Sequence, residues 1–99
     1  KHVVIRPEPV GDVTHAEAGY VSPYGNITSK WKKDNGIFEL KTIIPVNTTA
    51  TVFLPAAKDD RIAESGKSVA GRSDIKVLGY EQGNVLIAIG SGEYFFRIN

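Results

Sequence analysis

Eleven Asp and Glu residues are the first place to look for chemistry in this 99-residue sequence. Two carboxyls held roughly 5–10 Å apart across a cleft can work as acid and base, or as acid and nucleophile, at a glycosidic bond. Asp59 and Asp60 are adjacent in a polar stretch, Glu39 falls on the outward side of an alternating run, and Glu8, Asp12 and Glu17 have no evident mates. Charged residues so placed ordinarily form solvated surface, and that is the expectation for each of them.

His2 and His15 could shuttle protons or ligate a metal. Two histidines with no HxH, no HExxH and no cysteine make too thin a ligand set for zinc, so surface or interface histidines are expected and no metal site is assigned. Six serines include no GxSxG elbow, and the glycines form neither GxGxxG nor a P-loop, so no nucleophile and no cofactor are expected. Asn26 and Asn47 open N-x-Thr patterns, which acquire meaning only in a eukaryotic secretory setting.

Aromatics are the remaining lead, because sugar-binding sandwiches offer Trp and Tyr faces to pyranose rings. Tyr20, Tyr24 and Trp31 cluster in "GYVSPYGNITSKWK" and are the candidate sugar-contact or domain-interface residues. A lone tryptophan in a small sandwich more often fills the core, so packing competes with the ligand platform at Trp31.

The elements that would position these groups are strands. Period-two alternation and turn residues dominate, and no window carries a 3.6-residue apolar stripe. Strands are expected near residues 2–6, 13–21, 26–33, 37–44, 48–54, 75–81, 84–90 and 93–98, about eight in an all-β antiparallel sandwich of jelly-roll-like type. "IPVNTTATVFLP" supplies one of them, Thr48 to Leu54, with Pro45 and Pro55 as its stops because proline cannot donate to a ladder. Asp34 to Gly36 should turn a hairpin, and Glu81 to Asn84 with Gly90 to Gly92 should join the last three strands into a meander. Phe38, Leu40, Thr42 and Ile44 fall on one face and read as core, with Ala50, Val52 and Leu54, one face of residues 85–89, and Tyr94 or Phe95 opposite. Residues 56–74 are polar and turn-rich, with a weak Ile62 and Val69 pattern that fits a helical turn or a short edge strand, and are expected as a long connection.

Composition bounds the rest. The length suits one domain, residues 1–99. Twelve Lys and Arg against eleven acids, without blocks of one sign, leave no footprint for nucleic acid or an anionic membrane. The apolar runs fall far short of the ~20 residues that span a bilayer, so a soluble chain is expected. The start, "KHVVIRPEPV", lacks the zones of a signal peptide and enters a strand pattern at once, as a piece cut from a longer chain would.

An ordered set of short motifs points further. "SPYGNITSKWKKDNGIFELKTIIPVNTTATVFLP" contains Pro23 to Gly25, Ser29 to Trp31, Ile44-Pro45, Asn47 to Ala50 and Leu54-Pro55 in sequence. With "KHVVIRPEPV", "ESGKSV" at Glu64 to Val69 and "GSGEYFF" at Gly90 to Phe96, it resembles the C-terminal β-sandwich domain of bacterial α-L-rhamnosidases of glycoside hydrolase family 78. The resemblance implies a larger periplasmic or extracellular enzyme in which an upstream α/α barrel carries the catalytic acids. It implies for these 99 residues a non-catalytic accessory role, with the barrel of the same chain as partner and no cofactor. A module that binds rhamnose-containing glycans is the competing expectation.

Overall fold

The structure, a computed structural model, describes residues 2–7, 15–22, 25–34, 36–57 and 59–99, and side chains are described for these except 15–22, 25 and 26. Tight turns set its frame. Asp34 pairs with Ile37 across a two-residue turn in which Gly36 takes φ 78°, a left-handed conformation that suits glycine. The turn joins β3 (Gly25–Asp34) to β4 (Ile37–Ile44), as expected from Asp-Asn-Gly, although Asn35 itself lies outside the described residues. Glu81 pairs with Asn84 in the same way, with Gln82 at φ 47° and Gly83 at φ 84°, joining β8 (Ile75–Glu81) to β9 (Asn84–Ile89).

Ten strands are present among the described residues, and no helix. Besides those four they are β1 (His2–Ile5), β2 (His15–Ser22), β5 (Thr49–Pro55), β6 (Ile62–Glu64), β7 (Lys67–Ser68) and β10 (Gly92–Ile98). Four form one sheet in the order β1-β5-β9-β8, and six form the other in the order β2-β3-β4-β10-β6-β7. All pairs are antiparallel except β1 with β5, a parallel pair at the sheet edge. The all-β sandwich is thus observed, and each of the eight expected strands has a counterpart.

Three expectations are corrected. Residues 56–74 are not a plain connection: β6 and β7 form a hairpin closed by Ser65 at φ 50° and Gly66 at φ 84°, and β6 pairs with β10. The last three strands are not a meander. β8 and β9 pair, but β9 already has β5 on its other side, so β10 crosses to the second sheet and inserts between β4 and β6. Gly92, at φ 138°, and the Tyr94 hydroxyl, which donates to the Ser91 carbonyl at 3.4 Å, mark that crossing. Pro55 does not stand beyond its strand but ends β5, paired with Asn84.

Two core-facing rows oppose each other. In the six-stranded sheet Trp31, Leu40, Phe96 and Glu64 lie side by side on successive strands, and in the four-stranded sheet Ile5, Val52, Ile87 and Val77 do so. Phe38, Leu40, Thr42 and Ile44 are buried as the alternation requires. Val85, Ile87 and Ile89, rather than Leu86 and Ala88, complete the facing layer; Tyr94, not Phe95, is buried, but on β10 it lies beside Thr42 in the same sheet as β4 and not opposite it. Thr42 is tolerated in the core because its hydroxyl donates to the Thr28 carbonyl at 2.6 Å. Each large side chain fully removed from water contributes about 1.5–3 kcal/mol.

Candidate functional site

The core row of the six-stranded sheet ends on a carboxylate, and that row positions the main cluster of charge. Glu64 is 5% exposed at the end of β6. One of its oxygens accepts the Phe95 amide at 3.0 Å and the Ser65 hydroxyl; the other accepts an Arg72 guanidinium nitrogen at 2.9 Å. Arg72 also grips Asp74 through two hydrogen bonds of 2.8 and 2.9 Å. β6 ends here, so the Glu64 side chain takes the place of a backbone acceptor for Phe95, while the Ser65 amide donates to the Phe95 carbonyl at 2.8 Å.

Burial pushes the Glu64 pKa up, but the Ser65 hydroxyl, the Phe95 amide and Arg72 together outweigh it and hold the carboxyl below its ordinary value of 4.5. Hydrogen bonding from Arg72 holds Asp74 below its ordinary value as well. A nearly buried carboxylate that accepts from three groups and has a lowered pKa is unsuited to act as a general acid. The cluster ties the β6–β7 hairpin and residues 72–74 to β10.

The other candidate carboxyls among the described residues lie on separate elements, apart from the adjacent Asp59 and Asp60. Glu39 faces outward opposite Lys32, whose ammonium is 3.6 Å away. Asp60 closes a turn: its carboxylate accepts the Ala57 amide at 2.8 Å, and its own amide donates to the Ala57 carbonyl at 3.1 Å. Asp59 is exposed beside it. Glu8, Asp12 and the side chain of Glu17 lie outside the described residues. Among the described residues no group of three or more His, Cys, Asp and Glu could hold a metal ion.

His2 has a structural task. Its two ring nitrogens lie 2.7 and 2.8 Å from the hydroxyls of Thr49 and Thr51, clipping β1 to its parallel neighbour β5. The second and third threonines of "NTTAT", Thr49 and Thr51, therefore hold the first strand in place. His2→Ala is expected to cost about 1 kcal/mol, the worth of a typical hydrogen bond; an unchanged urea midpoint would show that the clip is idle. The side chain of His15 lies outside the described residues.

Of the three aromatic candidates, Trp31 is buried and stacks on Phe38 with ring centroids 5.7 Å apart, so the packing alternative describes its position. Tyr24 and the side chain of Tyr20 lie outside the described residues. Tyr80 is an aromatic that residue patterns did not single out. It stands half exposed on the inward side of β8, beside a groove of about 810 Å³ lined by Ile62, Val69, Val77 and Val85, with Arg61 and Asn99 among its polar members. The groove exists because β6 and β7, three and two residues long, are too short to cover that end of the four-stranded sheet.

With this geometry in hand, relatives are informative. Residues 1–69 match the bacterial alpha-L-rhamnosidase C-terminal domain family. An alpha-L-rhamnosidase of Streptomyces avermitilis is 34% identical over 98 residues, which is 99% of this chain and 9% of the relative. One from Formosa agariphila is 27% identical over 97 residues, 98% of this chain and 10% of the relative. The crystal structure of the Streptomyces avermitilis alpha-L-rhamnosidase complexed with L-rhamnose superposes with a TM-score of 0.82 at 33% identity, covering 97% of this chain and 9% of that one. The structure of alpha-L-rhamnosidase from Dictyoglumus thermophilum also gives 0.82, at 26% identity, covering 97% of this chain and 11% of that one. The chain thus spans about a tenth of the length of these relatives.

Proposed function

This chain belongs to the bacterial alpha-L-rhamnosidase C-terminal domain family, and from that premise we propose that residues 1–99 form one non-catalytic accessory domain of a larger chain that hydrolyses terminal α-L-rhamnosides. In this reading the domain packs against the upstream catalytic barrel and stabilises it. One observation carries the proposal: the carboxyls with described partners are engaged within the domain, Glu64 by Ser65, Phe95 and Arg72, Asp74 by Arg72, Glu39 by Lys32, and Asp60 by Ala57. Hydrolysis of a rhamnoside needs an acid and a base or nucleophile facing one bond. The 99-residue chain alone should therefore leave an aryl α-L-rhamnoside intact while the parent chain cleaves it. Turnover by the isolated chain, abolished by a single carboxylate substitution, would overturn the assignment.

A carbohydrate-binding module is the second reading, favoured by the half-exposed Tyr80 beside its groove. Titration with rhamnose-containing oligosaccharides would then give saturable shifts at Tyr80; no response at millimolar sugar would remove it.

A further inference from the structure

We propose that the outward face of the four-stranded sheet is the surface on which the rest of the parent polypeptide docks. The inference rests on the accessory-domain reading and adds which face is used.

The two outward faces differ in kind. On the six-stranded sheet, Lys30 and Lys32 on β3, Glu39 and Lys41 on β4, and Glu93 and Arg97 on β10 all point away from the core. That is a mainly charged, solvated face, although Ile43 and Phe95, each 37% exposed, also lie on it. On the four-stranded sheet the outward positions of the two central strands are Thr49, Thr51, Phe53 and Pro55 on β5, and Asn84, Leu86 and Ala88 on β9, with no ionisable group among them. Val4, Thr51 and Ala88 form one row across three strands, and Phe53 and Leu86 are partners in the next. Val4 is 59% exposed and Leu78, at the irregularity in β8, 50%.

β9 reads "NVLIAI", apolar on both sides after its first residue, which is the composition of a strand covered on both faces. Only its inner face, Val85, Ile87 and Ile89, is buried by this domain. Ionisable groups reach over this face from its edges: Arg6 lays its guanidinium 3.9 Å from the centre of the Phe53 ring, His2 on β1 bonds the hydroxyls of Thr49 and Thr51, and Lys76, beside Ala88, and Glu81 lie on the edge strand β8. An apolar centre within a polar rim that includes arginine is how interfaces are built.

The occupant follows from length. Relatives are roughly ten times longer than this chain, so the polypeptide that would cover the face is tethered to it. Tethering supplies a high effective concentration, which a second copy would lack. The face therefore takes an apolar surface of the same larger chain.

Hydroxyl-radical footprinting tests this without perturbing the fold. Modification of Phe53, Leu86 and Phe95 is compared between the 99-residue chain and the full-length parent chain. The expected result is several-fold slower modification of Phe53 and Leu86 in the parent chain, with Phe95 on the charged sheet unchanged. Protection of Phe95 without Phe53 and Leu86 would overturn the choice of face and leave the accessory-domain reading standing. No protection at any of the three would overturn docking altogether. Concentration-dependent protection of Phe53 and Leu86 in the 99-residue chain, with no further gain in the parent chain, would assign the face to a second copy and overturn the proposal.

Discussion

Phe96→Ala is expected to destabilise the chain by about 3–5 kcal/mol, while Phe95→Ala, one residue earlier in the same strand, should cost only about 1 kcal/mol. The contrast arises from the pleat. Successive side chains of β10 point to opposite faces, so Phe96 is fully buried between Leu40 and Glu64 and stacked on Tyr94 at 5.9 Å, whereas Phe95 is 37% exposed on the outer face. β10 is also the strand that knits the larger sheet together, paired with β4 on one side and β6 on the other. Truncating Phe96 leaves a cavity among residues already held on both sides, and such a site collapses poorly. At a typical urea slope of about 1.5 kcal/mol/M, the midpoint should fall by about 2 M or more for Phe96→Ala. Equal losses for the two substitutions would show that the facing assigned to β10 is wrong.

How much of this was legible in the sequence depends on how local each signal is. Asp-Asn-Gly and Gln-Gly set two hairpins through backbone requirements that a few residues express completely. The core face of β4 followed from period two, since Phe38, Leu40, Thr42 and Ile44 must share a side once the strand forms. β9 could not be oriented in this way: with apolar residues on both sides, alternation carries no direction, and only the sheet opposite decides that Val85, Ile87 and Ile89 turn inward. The β6–β7 hairpin was hidden by strand length, because runs of three and two residues are too short to show a period. Its Ser65-Gly66 turn, between Glu64 and Lys67, nonetheless repeats the left-handed pair seen at Gln82-Gly83 and was the available clue. The exchange of β10 between sheets and the parallel seating of β1 on β5 depend on which edges are already occupied, a tertiary fact that no short stretch records.

The Glu64 cluster was equally out of reach, since it joins residues 64, 72, 74 and 95 from three segments, and it carries the second large effect. Glu64→Ala should cost about 2–3 kcal/mol near neutral pH, in the range for hydrogen bonds to a charged group, because it strips an acceptor from the part-buried Phe95 amide and a partner from Arg72. Glu64→Gln separates charge from shape: it can still accept from Phe95 but sets a neutral amide against the guanidinium. The sign of the pH effect follows from linkage. Glu64 has a folded pKa held below its ordinary value of 4.5, so between the two values the unfolded chain binds the proton more readily than the native one. The stability due to ionised Glu64 is therefore fully present above about pH 4.5 and is lost as the pH falls through the lower folded value. Asp74, lowered by its hydrogen bonds to Arg72, acts in the same direction from its ordinary value of 3.8 downward. Urea midpoints measured from pH 7 to pH 3 should fall more steeply for the wild-type chain than for Glu64→Gln, the two curves converging at the acid end. Parallel curves would mean that Glu64 contributes only its shape and that its charge does not hold the β6–β7 hairpin against β10.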